Sequence, residues 1–94
     1  QANAQNNSVY VNAMLPGDLP EQQYDVVVAN ILANPLKILA PMLAARVKPG
    51  GFLVLAGIFE WQTAEMQEAY SDYLHLTPWR EREGWIGLVA HKQN

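Results

Sequence analysis

Two uninterrupted apolar runs limit what this chain can fold into more than any other feature of its sequence. Tyr24–Ala29 ends in VVVA, and Phe52–Ile58 reads FLVLAGI. Continuous rather than alternating hydrophobicity predicts strands that are covered on both faces, as in a parallel sheet. Between the two runs, apolar residues recur at helical spacing at Leu36, Leu39, Leu43 and Val47. The order of strand, helix and strand predicts a βαβ unit.

The predicted helix has signals for its start, its interruption and its end. Asn34 is a residue type that caps helices, and Pro35 suits a first helical turn. Pro41 removes one backbone hydrogen bond, which predicts a kink or a second helix start. Lys48–Gly51 reads KPGG and should end the helix.

Further elements flank this unit. We predict a strand at Val9–Leu15 and a helix at Glu60–Tyr73, followed by strands at Leu74–Trp79 and Trp85–His91. The polar link between the last two strands is too short for a parallel crossover, so they should be antiparallel neighbours. We also expect Trp85 to pack on the sheet. The predicted fold class is therefore α/β, with a mostly parallel sheet that ends in an antiparallel hairpin.

Composition narrows the classes of function. The 94 residues suffice for one small domain, and only 16% are charged, against about 25% in typical domains. This low fraction of charged residues suggests strands buried on both faces, or a surface that forms an interface with further protein. The net charge of −3 and the scattered Lys and Arg argue against direct nucleic-acid binding. The sequence contains no cysteine, which fits a cytoplasmic protein, and no apolar run approaches the roughly 18 residues of a membrane span.

Two polar residues that follow predicted strands are candidates for a binding site. Ligands of open α/β sheets bind beyond the carboxyl ends of the strands, and Asn30 lies there after Tyr24–Ala29. Its amide can donate and accept without titrating, although an Asn at a strand end can also simply shape a turn. Asp18 lies in a loop after the first strand, where a carboxylate could accept from a cofactor amino group or serve the turn. His75 and His91 lack neighbours at metal-ligand spacing, so we expect no metal site.

Taken together, these segments resemble one known family. Asp25–Pro35 (DVVVANILANP) is the most specific part, followed by Lys48–Gly51 (KPGG), Leu53–Ile58 (LVLAGI) and Glu81–Trp85 (EREGW). They resemble the ribosomal protein L-eleven methyltransferases, which are class I enzymes that use S-adenosylmethionine. The resemblance covers essentially the whole chain, although KPGG before a buried strand is shared by many class I methyltransferases.

The resemblance implies a Rossmann-like sheet of which this chain would be the C-terminal part. Val9–Leu15 would be its third strand and Tyr24–Ala29 its fourth, with strands one and two lying between them. The family's glycine-rich cofactor loop and N-terminal substrate-recognition domain have no counterpart in this chain, so the chain alone should be inactive. Without its expected neighbour, Tyr24–Ala29 should present a bare apolar edge, which favours self-association.

The resemblance also implies an activity. The family transfers methyl groups from S-adenosylmethionine to lysine and α-amino groups of a large-subunit ribosomal protein. Asn30 matches the family's Asn between the cofactor's methyl sulfonium and the amine, which makes it the catalytic and cofactor-binding candidate. Asp18 and Leu19 match the loop that flanks the adenine.

Two alternatives remain. Class I methyltransferases that act on an amide or base nitrogen usually place Pro-Pro-aromatic after the strand-end Asn or Asp, whereas Ile31, Leu32 and Ala33 follow Asn30 here. This difference argues against a planar, stacked acceptor. The other alternative is a non-catalytic, Rossmann-like interaction module that has kept only the sheet.

Overall fold

A computed structural model of the chain describes residues 7–11 and 22–93. The described residues form one five-stranded sheet with short helices. The elements are β1 (Ser8–Val11), β2 (Tyr24–Asn30), α1 (Ala33–Ile38), α2 (Ala40–Ala45), β3 (Val47–Phe59), a 3-10 turn (Glu60–Gln62), α3 (Thr63–Tyr70), β4 (Thr77–Arg82) and β5 (Trp85–His91).

The sheet is mixed. Its strand order is β1-β2-β3-β5-β4; β1 and β3 lie parallel to β2, whereas β5 is antiparallel to both β3 and β4. The α/β class and the terminal antiparallel hairpin are therefore confirmed. Two pairings are parallel and two are antiparallel, because β5 alone runs against the other four described strands.

β1 lies directly beside β2, and this is the main departure from the expected strand order. The register pairs Ser8 with Val26 and Val11 with Ala29, so no other strand lies between β1 and β2. The prediction of a bare edge on β2 is wrong. An unpaired strand edge leaves backbone donors and acceptors without partners, and β1 satisfies them while burying Val11 in the core. Residues 12–15 of the predicted first strand lie outside the described residues.

β3 is longer than predicted, because KPGG joins the strand. Gly50 has a φ of 86°, and its N–H donates to the carbonyl of Lys92 at 2.7 Å. A Cβ on Gly51 would lie 2.6 Å from the carbonyl oxygen of Asp25, so this position needs glycine. Gly50 and Gly51 therefore allow the chain that follows α2 to pair with β2 on one side and with β5 on the other.

The core lies on one side of the sheet. Leu53, Leu55 and Ile58 of β3 are fully buried, whereas Val54 between them is half-buried and Phe52 is exposed. Within residues 7–11 and 22–93, the strands are therefore covered on one face, and not on both faces as predicted. All three helices contribute to the same core cluster as the buried strand residues, and no second layer lies on the other face among the described residues.

The helices follow the sequence signals in part. The break between α1 and α2 at Leu39 confirms the interruption expected near Pro41. Leu32, not Asn34, occupies the N-cap of α1, so the predicted cap is wrong; Pro35 lies in the first turn as expected. The helix predicted from Glu60 is instead a 3-10 turn followed by α3. Within the described ranges, no helix is long and apolar enough to cross a membrane.

The hairpin is confirmed in topology but shifted in its first strand. β4 begins at Thr77 rather than Leu74, and the turn follows at Glu83 and Gly84, which both have positive φ. Trp85 is 46% exposed, so the prediction that it packs on the sheet away from solvent is wrong. The ring instead stacks on Phe59, with centroids 4.1 Å apart, because Trp85 points to the face of the sheet that the helices leave open.

Candidate functional site

Asn30 is the last residue of β2, and it lies between two parallel neighbours. It pairs in register with Ala56 of β3, while β1 runs along the other side of its strand. Its side chain is exposed rather than packed in the core. The structure thus has Asn30 at the carboxyl end of a central parallel strand, as the sequence predicted.

Two residues, Tyr10 and Gly57, lie next to the carboxamide of Asn30. Its Nδ2 atom donates to the hydroxyl of Tyr10 at 3.0 Å. On the other side, a Cβ on Gly57 would lie only 2.8 Å from Oδ1 of Asn30 and 3.2 Å from the carbonyl oxygen of Ile31. Within residues 7–11 and 22–93, Oδ1 accepts no hydrogen bond. Among these residues, no donor therefore competes with a ligand for this oxygen.

A shallow cavity of about 340 Å³ lies beside this strand end. It is lined by the start of α1 and the end of β3, through Leu32, Ala33, Asn34, Pro35, Gly57, Phe59 and Gln62. The Oε1 atom of Gln62 accepts from the backbone N–H of Phe59 at 2.9 Å, which holds one wall of the cavity in place. The lining is mostly apolar with two amide side chains, and none of these residues is charged.

The structure tests only part of the predicted site. Asp18 and Leu19 lie outside the described residues, so their relation to Asn30 stays a prediction. Asn34 does not cap its helix but lines the cavity. Among the residues that the structure describes, no group of three His, Cys, Asp or Glu side chains could hold a metal ion.

Sequence reasoning missed three residues of this region. Tyr10 reaches Asn30 only because β1 pairs with β2, and no local pattern indicates that pairing. Phe59 and Gln62 lie just after the second apolar run, so the rule that ligands bind beyond strand ends could have drawn attention to them.

A sequence comparison identifies the family. Residues 1–93 match the profile of the family described as "Ribosomal protein L11 methyltransferase (PrmA)". The chain belongs to this methyltransferase family. Among its relatives, the ribosomal protein L11 methyltransferase of Bordetella parapertussis is 57% identical over 90 residues, which are 96% of this chain. The chain spans only about 29% of the length of that relative.

Solved structures share the fold. The ribosomal protein L11 methylase of Lactobacillus delbrueckii subsp. bulgaricus is 28% identical, with a TM-score of 0.70 over 83% of this chain and 40% of its own. A putative methyltransferase from Thermoplasma acidophilum has a TM-score of 0.64 at 20% identity, over 84% of this chain and 43% of its own. The second likeness concerns the fold alone. This member of the L11 methyltransferase family thus has an α/β fold similar to that of class I methyltransferases.

Proposed function

We propose that this chain is the C-terminal part of a methyltransferase catalytic domain, and that Asn30 positions the amine that receives the methyl group. One observation carries the proposal: Asn30 ends a strand between parallel neighbours, and no described residue donates a hydrogen bond to its carboxamide oxygen. Ligands of α/β sheets bind at such strand ends. The proposal includes a Rossmann-like parent domain, with its glycine-rich loop and a substrate-recognition domain supplied by the rest of the full-length protein.

The proposed substrate follows from the family. We extend to this chain the activity that its relatives are named for, which is methylation of ribosomal protein L11. The acceptors proposed are lysine and α-amino groups of that large-subunit protein, and the proposed location is the cytoplasm. Family membership over nearly the whole chain supports this extension.

The residues at the strand end fit the reacting part of S-adenosylmethionine. When bound, this cofactor supplies an electrophilic methyl group on a positively charged sulfonium. No Lys or Arg lines the described cavity, so no cation there repels a sulfonium. Gly57, with a φ of 78°, leaves open the space next to Asn30 that any Cβ would fill. Asp18 and Leu19 remain the proposed neighbours of the adenine.

The amine must react in its neutral form, because a protonated amine has no free lone pair. A lysine with a pKa of about 10.4 is mostly protonated at neutral pH. An apolar wall formed by Leu32 and Phe59 would disfavour the charged form by desolvation. The carboxamide oxygen of Asn30 and the carbonyl of Ile31 can then accept N–H hydrogen bonds and direct the lone pair. Such positioning contributes to the rate without a general base.

The test is substitution of Asn30 in the full-length protein. We expect Asn30→Ala to lower kcat for methylation of ribosomal protein L11 by about 10- to 100-fold, as the loss of a positioning hydrogen bond does. Gln93→Ala, which removes an exposed amide near the end of the chain, is the control and should leave kcat unchanged. An unaltered kcat for Asn30→Ala would contradict the role proposed for Asn30.

A further inference from the structure

Three large aromatic side chains are exposed beside the cavity, and one of them, Phe59, stacks on the other two. Phe59 stacks on Trp85, with centroids 4.1 Å apart, and on Trp61, with centroids 6.1 Å apart and an interplanar angle of 9°. Trp61 is 76% exposed although its ring is large and apolar. We call Phe59, Trp61 and Trp85 the aromatic shelf. Because Phe59 also lines the cavity, the shelf is continuous with the candidate site.

Backbone and side-chain hydrogen bonds hold the shelf in place. The N–H of Glu60 donates to the carbonyl of Gly84 at 2.7 Å, which joins the 3-10 turn to the hairpin turn. The hydroxyl of Thr63 donates to the carbonyl of Glu60 at 2.7 Å, and Gln62 accepts from the N–H of Phe59. Because this backbone is already ordered, the shelf loses less conformational entropy on binding a partner than a mobile loop does. Large, rigid aromatics of this kind are typical of recognition surfaces rather than of plain solvent-exposed surface.

The charges around the shelf are mainly negative. Glu60 lies between two shelf residues in the sequence, and the Glu60–Gly84 hydrogen bond brings the hairpin turn with Glu83 next to it. Arg82, which pairs in register with Trp85, is the positive residue beside the shelf. None of these three side chains forms an ion pair within the described part of the chain. Unpaired carboxylates beside aromatic faces suit a cationic partner, since both attract ammonium and guanidinium groups.

We propose that the aromatic shelf binds a basic segment of the polypeptide substrate, which flanks the amine that is methylated. This inference rests on the proposed function. It specifies which residues of the substrate, on either side of the methylated amine, favour binding. A Lys or Arg of that segment lies against the ring of Trp61 and near the carboxylate of Glu60. Methylation is then favoured at amines whose neighbours in sequence are cationic, and disfavoured at amines with acidic neighbours.

Two synthetic peptides test the proposal with the full-length protein. One contains an acceptor lysine flanked by arginines, and the other carries citrulline in place of each arginine, so that the shape is kept and the charge removed. Fluorescence anisotropy of the labelled peptides gives Kd without requiring turnover, and methyl transfer gives kcat and KM. Binding therefore stays measurable even if the proposed function fails and no methyl group is transferred.

We expect Trp61→Ala to raise Kd and KM for the arginine peptide by about three- to tenfold, which corresponds to the loss of one cation–π contact. Its kcat and its Kd for the citrulline peptide should change less than twofold. Glu60→Gln should act in the same direction, and added salt should weaken the effect. The matched controls are Trp79→Ala, another exposed tryptophan that packs over Gly87, and Glu68→Gln on α3.

Two results would overturn the inference. The first is that Trp61→Ala changes Kd equally for the arginine and citrulline peptides, or changes Kd for neither of them. The second is a self-association that Trp61→Ala abolishes while Kd for both peptides stays the same, because the shelf would then belong to an interface with a second copy.

Discussion

A methyl group on Gly57 would lie 2.8 Å from the Oδ1 atom of Asn30, so the glycine and the carboxamide occupy adjoining space that leaves no room for a side chain. Gly57 also has a φ of 78°, which L-residues with a Cβ rarely adopt. Gly57→Ala therefore strains the backbone and displaces Asn30. We expect a loss of stability of about 1–3 kcal/mol together with a loss of methyl transfer in the full-length protein.

Gly84→Ala separates these two effects. Gly84 has a φ of 86°, but nothing lies within 4 Å of the position of its Cβ. This variant should lose about 1 kcal/mol in urea unfolding, because it has the strain without the clash, and it should keep its methyl-transfer rate. If Gly57→Ala and Gly84→Ala retained equal rates, the space next to Asn30 would not be critical.

The position of β1 can be tested through Val11, which is only 1% exposed and pairs with Ala29. Val11→Ala removes buried methyl groups, so we expect urea unfolding of the chain to show a loss of about 1–3 kcal/mol. Ser8→Ala, at an exposed position of the same strand, should cost less than about 0.5 kcal/mol. Equal stabilities of the two variants would argue that β1 does not pack beside β2.

Tyr70 links α3 to α1 through a hydrogen bond from its hydroxyl to the carbonyl of Leu36, at 2.7 Å. Tyr70→Phe should cost about 1–2 kcal/mol at pH 7, because the buried carbonyl loses its partner. Tyr73→Phe is the control, since Tyr73 is exposed and its hydroxyl lies outside the core. Matching unfolding curves for the two variants would show that the hydrogen bond contributes nothing.

Burial also makes Tyr70 a source of pH dependence, because desolvation raises the pKa of its hydroxyl above the ordinary value of 10.0. The folded state therefore resists ionisation, and its stabilising effect is complete below pH 10. Above that pH the unfolded chain releases the proton more readily, so stability should fall by up to about 1.4 kcal/mol per pH unit. Tyr70→Phe should lack this part of the alkaline loss, as measured by urea unfolding between pH 9 and 11.

Lys92 stabilises the end of α2. Its Nζ atom donates at 3.0 Å to the carbonyl of Ala44, in the last turn of α2, and at 2.9 Å to the carbonyl of Val47, the first residue of β3. Lys92→Met keeps the length of the side chain and removes both bonds, so we expect a loss of about 1–3 kcal/mol in urea unfolding.

Lys48→Met is the matched control for that substitution. Its ammonium lies 3.9 Å from the carboxylate of Asp25, and both groups are about two-fifths exposed. A surface pair of this kind contributes less than about 1 kcal/mol. A larger loss for Lys48→Met than for Lys92→Met would contradict the capping role.

Much of the fold could be predicted because its signals are local. The apolar run at Val26–Ala29, the break before Pro41 and the short link before Trp85 each act over a few residues, and each predicted element exists. The place of Asn30 at a strand end was predicted for the same reason, since it follows a buried strand directly and needs no knowledge of distant residues. Its proposed chemical role came from the family resemblance rather than from local pattern.

The sequence by itself determined the kinds of element, their order along the chain, the antiparallel hairpin and the family. Only the tertiary structure decided that β1 borders β2, that Tyr10 reaches Asn30, that the described helices share one face of the sheet and that Trp85 stacks on Phe59. The physical reason is competition between surfaces. Turns and helix breaks depend on a few neighbouring residues. A strand edge, in contrast, pairs with whichever distant strand satisfies its backbone hydrogen bonds. An aromatic ring likewise packs against whichever distant surface removes the most apolar area from water.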